Sequence, residues 1–167
     1  MAEEKKSMSV DEVKTLHELL RLAIDDLKLC YADPNVKVDM GEWLTYDGGT
    51  CKVCLAGAVM LKSQKNLMNV PSLLKHWALA LDCLRRGDLP EATFYFHFHL
   101  KGFGEPGYEP YLGEEEHLED LDRDWTAAGH GTVVGESIDE TPNSMAAWAA
   151  LLKQLEERYE WLKKRNL

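Results

Sequence analysis

At 167 residues, 45% of them hydrophobic and 29% charged, the chain is the size of one globular domain with a real core and is too apolar to be disordered. Its formal net charge of −10 argues against sequence-independent binding of nucleic acid, whose phosphates it would repel. The charge fits a soluble protein, a basic partner, or mimicry of nucleic-acid charge.

Residues 1–8 read as a disordered start, polar and without the apolar stretch of a secretory signal. Ser9 and Glu12 then form a capping box. Val13, Leu16, Leu20, Ala23, Leu27 and Cys30 recur at spacings of three and four, which predicts an amphipathic helix to about Tyr31. Asp33-Pro34-Asn35 ends it. Residues 35–49 are irregular, with a short strand expected around Val36 to Met40 or Trp43 to Tyr46. Trp43 and Tyr46 are read as a lid on the core or as one wall of a ligand pocket.

Asp47-Gly48-Gly49 signals a turn. Thr50 is expected to cap a helix running from Cys51 to about Leu61. Within it Ala56, Gly57 and Ala58 make a small patch that lets another element come close. The two cysteines allow three readings. Cys51 at a helix N-terminus is a candidate nucleophile, because the helix dipole favours a thiolate. Cys51 and Cys54 at C-x-x-C spacing are half of a zinc site. Otherwise both are small packed thiols. Four cysteines in a cytoplasmic chain are expected to stay reduced.

The run Cys51-Lys52-Val53-Cys54-Leu55-Ala56-Gly57-Ala58-Val59-Met60, with Trp43 before it and Arg85-Arg86-Gly87-Asp88 after it, resembles a set of small uncharacterised proteins of bacteriophages and prophages. The resemblance covers roughly the first half of the chain. It implies an origin rather than an activity: a phage-encoded protein acting inside a bacterium. It brings no catalytic or binding residues with it.

Pro71 suits a first helical turn. Leu73, Leu74, Trp77, Leu81 and Leu84 predict the buried face of a helix that stops at Gly87 as its C′ residue. Asp88 opens the next helix as N-cap, with Glu91 at N3. Over Phe94 to Leu100 the aromatics alternate with Tyr95, His97 and His99, a strand period, yet the capping signal favours helix. As a strand, His97 and His99 would share a face and complete a Cys₂His₂ set with Cys51 and Cys54.

The glycine- and proline-rich stretch from Lys101 to Gly113 carries Phe103, Tyr108 and Tyr111, candidate interface anchors. An acidic helix follows over about 113–128. Leu118, Leu121 and Trp125 mark its inner face, and Glu114, Glu115, Glu116, Glu119, Asp120, Asp122 and Asp124 supply a surface for a basic patch. Ala127 to Glu140 is read as a short strand or extended loop. His130 there, with Asp139 as orienter and Cys51 as nucleophile, would give the layout of a papain-like hydrolase. Thr141 and Pro142 are expected to open the last helix, over about 142–165. Its stripe of Met145, Trp148, Leu152, Leu155, Tyr159 and Leu162 would pack on the first helix or form a dimer seam.

The sequence thus predicts a mainly α, compact single domain over 9–167, with about five or six helices and little or no strand. No glycine pattern matches a nucleotide-binding loop, and no cofactor is expected. With no run long enough to span a bilayer, the protein is expected to be cytoplasmic and free of membranes. The leading functional expectation is a non-enzymatic accessory protein, monomer or homodimer. It would bind, and inhibit, a host protein with a basic surface. A cysteine hydrolase using Cys51 and His130, and a structural zinc protein, are the alternatives.

Overall fold

The computed structural model describes residues 13–41, 44–63, 71–100, 115–134, 142 and 144–167. Helices dominate, as expected from the apolar spacing, but a small sheet is also present. The order is α1 (Leu16–Ala32), β1 (Val36–Val38), β2 (Leu44–Asp47), β3 (Thr50–Val53), α2 (Leu55–Lys62), α3 (Pro71–Arg86), α4 (Leu89–Leu100), α5 (Glu115–Ala127) and α6 (Met145–Lys164).

The capping box that opens α1 lies six residues beyond the expected one. Thr15 accepts the Glu18 backbone N–H, and the Glu18 carboxylate accepts from the Thr15 hydroxyl at 2.8 Å and the Lys14 N–H at 3.2 Å. Thr15 and Glu18 carry the same T-x-x-E pattern as Ser9 and Glu12, and the later copy wins. Ser9 and Glu12 lie outside the described residues. The apolar face was read correctly: Leu16, Leu20, Ala23, Leu27 and Cys30 are all buried.

The expected helix from Cys51 is corrected. Asp47 pairs with Thr50, and Gly48 and Gly49 between them both have positive φ, so the four residues form a two-residue hairpin turn between β2 and β3. Cys51 and Val53 point into the core while Thr50 and Lys52 are half-buried, a strand alternation. β3 is the middle strand, antiparallel to β2 and parallel to β1. The helix starts four residues later than expected, at Leu55, with Cys54 as its N-cap.

α2 is buried all round from Leu55 to Val59. Its Ala56-Gly57-Ala58 patch, where the sequence expects another element to come close, is buried. α1, α2, α3 and α6 all contribute to one core that includes Leu19, Ile24, Val59, Trp77, Leu81, Leu155 and Leu162. α6 runs antiparallel to α1. Arg21 bonds Glu156 at 2.8 Å, and Tyr31 stacks on Trp148 with ring centroids 3.9 Å apart. The N-cap of α6 is Ser144, whose hydroxyl accepts the Ala147 N–H; Thr141 lies outside the described residues. Its buried face is Leu151, Leu155, Arg158, Trp161 and Leu162, while Met145 is exposed.

Candidate functional site

Two regions carry unspent polar chemistry: the outer face of α5, and the junction where α5 meets α6. Both are positioned by glycine C-caps. α3 ends in a Schellman motif, with the Gly87 N–H on Leu84 O and the Asp88 N–H on Cys83 O. Asp88 then accepts the Glu91 N–H and caps α4, as the sequence indicates. α5 ends the same way, with the Gly129 N–H on Thr126 O and the His130 N–H on Trp125 O. Gly129 has φ +89°. The sequence reading took residues 127–140 as strand or loop and missed this cap.

Gly87 is required twice. Its φ is +87°, and a Cβ there would sit 2.5 Å from the Gly131 carbonyl carbon and 2.7 Å from Thr132 N. The segment after α5 therefore lies backbone to backbone against the α3–α4 turn. Trp125 donates its indole N–H to Gly87 O at 3.0 Å, and the Val134 N–H bonds Arg85 O at 2.7 Å.

Arg158, 3% exposed, closes this junction. Its guanidinium donates to the carbonyls of Leu84, Arg85 and Thr132 and lies over the Trp125 ring. Burial pulls its pKa down to about 10. The carbonyls at the C-terminus of α3 supply the negative end of a helix dipole in place of a carboxylate. No signal at position 158 in the sequence sets it apart from the other arginines.

Beside Arg158, His130 packs on Trp125 and Trp161, with centroids 5.0 and 6.4 Å away. Burial first, and then the charge of Arg158, lowers its pKa, which favours the neutral imidazole. A cleft of about 550 Å³ opens here, lined by His130 and Trp161 together with five charged side chains of α6 and its C-cap, Arg165. The sequence reading singled out His130 only as the partner of a cysteine.

That pairing loses its ground. Cys51 is a strand residue, 3% exposed, and does not lie at a helix N-terminus. The cysteine that does sit at a helix start is Cys54. The N–H groups of Gly57 and Ala56 favour its thiolate, but burial outweighs them and its pKa is raised. Burial pushes Cys30 and Cys83 up to about 12. Asp139 lies outside the described residues.

The zinc set is corrected too. Phe94 to Leu100 belongs to α4, a helix as favoured. Positions 97 and 99 therefore lie on different faces rather than side by side. Among the described residues no three His, Cys, Asp or Glu side chains are placed to hold a metal ion.

On α5, Leu121 and Trp125 face inward as predicted, and Glu119, Asp120 and Asp124 are exposed. Asp120 pairs with Arg123 at 3.1 Å. Asp122 is half-buried, and its carboxyl is raised by burial and by the like charge of Asp88. The acidic surface thus continues from α5 onto the α3–α4 turn. Glu115 and Glu116 open α5, whereas Phe103, Tyr108, Tyr111 and Glu114 lie outside the described residues.

No helix among the described residues is long and apolar enough to cross a membrane. Compared with models of protein families, with curated proteins and with solved structures, the chain matches none.

Proposed function

We propose that this is a phage-encoded accessory protein that binds, and by binding inhibits, a host protein presenting a basic surface. The host-directed part of the reading rests on the resemblance of Cys51 to Met60 to phage proteins. The binding mode rests on one structural observation. Asp122 is half-buried and lies near enough to Asp88 that this like charge adds to burial in raising its carboxyl, beside the exposed Glu119, Asp120 and Asp124. A like-charge arrangement on a folded surface is relieved when a cationic partner docks on it. The protein acts in this reading without covalent chemistry, consistent with three thiols whose reactivity burial suppresses.

The test is capture of partners from nuclease-treated bacterial lysate at low and high salt. It compares the protein with a Glu119→Lys, Asp120→Lys, Asp124→Lys variant. One stoichiometric protein should bind at low salt, leave as salt rises, and be absent from the variant. No stoichiometric partner at low salt, or equal capture by the variant, would end the proposal.

A further inference from the structure

The cleft at the α5–α6 junction is lined by three carboxylates and three cations, so it lacks the acidic excess of the protein as a whole. Its acids are mostly committed. Glu156 is held by both Arg21 nitrogens at 2.8 Å and by Lys28 at 3.7 Å. Glu157 faces Lys153 at 3.9 Å. Only Glu160 lines the cleft with no cation on it among the described residues. Two cations, Lys164 and Arg165, line it with no carboxylate on them among the described residues.

Arg165 is also pre-set. Its guanidinium lies 3.9 Å over the Trp161 ring, and one nitrogen is tied to Trp161 O at 3.2 Å. Such stacking fixes the planar fork, which matches the two oxygens of a carboxylate or phosphate. The helix end beneath is not a competing negative centre. The Leu162 and Lys163 carbonyls accept the N–H groups of Arg165, Asn166 and Leu167 in a third Schellman motif, with Asn166 at φ +57°.

The remaining wall is His130. Its ring nitrogens bond no side chain or backbone group among the described residues, and it lines the cleft. A neutral imidazole has one N–H to donate. We propose that this cleft is an oxoanion site, taking a phosphate group or a carboxylate between the Arg165 guanidinium, the Lys164 ammonium and the His130 N–H. Trp161 supplies the apolar floor. The site is independent of the acidic face of α5 and stands or falls without it.

The experiment follows the His130 imidazole of the full chain by NMR across pH. Inorganic phosphate and acetate are titrated separately, at an ionic strength held constant with sodium chloride. A bound anion beside His130 favours its protonated form, so its titration midpoint should rise and saturate with ligand. A larger response to phosphate identifies a phosphoryl ligand, and a larger response to acetate a carboxylate. Arg165→Gln and Lys164→Gln, both at exposed positions, should each weaken binding by roughly tenfold, the worth of one charge-assisted contact. Identical midpoints in phosphate, acetate and chloride would overturn the proposal. So would unchanged binding in Arg165→Gln with the fold intact by circular dichroism.

Discussion

Around α2, every residue from Leu55 to Val59 is buried among the apolar side chains of α1, α3 and the sheet. Around Gly87, by contrast, the contacts join carbonyls to an indole N–H and a guanidinium. The first region is held by carbon packing, which tolerates swaps that conserve volume. The second is held by polar groups that must all be satisfied together, since a partly satisfied buried network is worse than an apolar one. Two parts of one small domain therefore fail in different ways.

The comparison breaks most sharply at Arg158. Arg158→Leu removes the donor to Leu84, Arg85 and Thr132 at once. Leu84 O and Arg85 O keep the Gly87 and Val134 N–H groups, so the loss is of three hydrogen bonds from a charged donor, about 1.5–3 kcal/mol each, offset in part by no longer burying a charge. The expected net loss is about 4 kcal/mol, a melting temperature lower by roughly 10 °C. Leu27→Met in the carbon-packed half should cost below about 1.5 kcal/mol. Urea unfolding of the two variants measures both. Equal losses would erase the distinction between the regions.

The carbon-packed half holds one exception, and it sharpens the contrast. Asp26 is 6% exposed and accepts the Ser63 hydroxyl at 2.6 Å, joining α1 to the C-cap of α2. Burial raises its pKa from 3.8 to about 6, against the Ser63 bond, which lowers it. A raised carboxyl pKa means that the folded state binds the extra proton. The stability it brings is complete below the ordinary carboxyl pKa and is lost as pH rises through about 6. The cost of ionisation is then about 3 kcal/mol at neutral pH. Asp26→Asn keeps an acceptor for Ser63 without the charge. It should stabilise the protein by about 2 kcal/mol at pH 8, and the gain should shrink toward zero near pH 4. A gain that does not depend on pH would show that burial of the charge is not its cause.

These two regions also differ in how far the sequence discloses them. The helical faces, the Gly87 stop and the Asp88 cap are local patterns, and they were legible because three or four neighbouring residues decide each. The hairpin was missed although Gly48-Gly49 sits at two-residue hairpin spacing. The apolar run after it invited one long helix, while the pairing of Val36 with Cys51 that makes β3 a central strand is not local. Arg158 was invisible for the same reason: its three acceptors lie 74, 73 and 26 residues away in the chain. His130 was noticed for its chemistry and given the wrong neighbour. Nothing in the order of residues brings it to Trp161 and Arg165 rather than to Cys51.

The weakest expected effect lies where the two regions meet, along α1 and α6. Arg21 makes a two-pronged pair with Glu156 and a second contact with Asp25 at 3.2 Å. The hydrogen bond from Arg21 holds the Glu156 carboxyl below its ordinary pKa, so its stabilisation is present above the usual carboxylate range and is lost as pH falls. Both side chains are partly open to solvent, at 21% and 36%, which screens the pair. Arg21→Met keeps the stem that packs beside Tyr159 and removes the charge. The loss should be below about 1 kcal/mol at neutral pH and should fade in high salt, as for exposed pairs. A loss as large as that of Arg158→Leu would mean that this surface pair, rather than the buried junction, joins α6 to the rest of the domain.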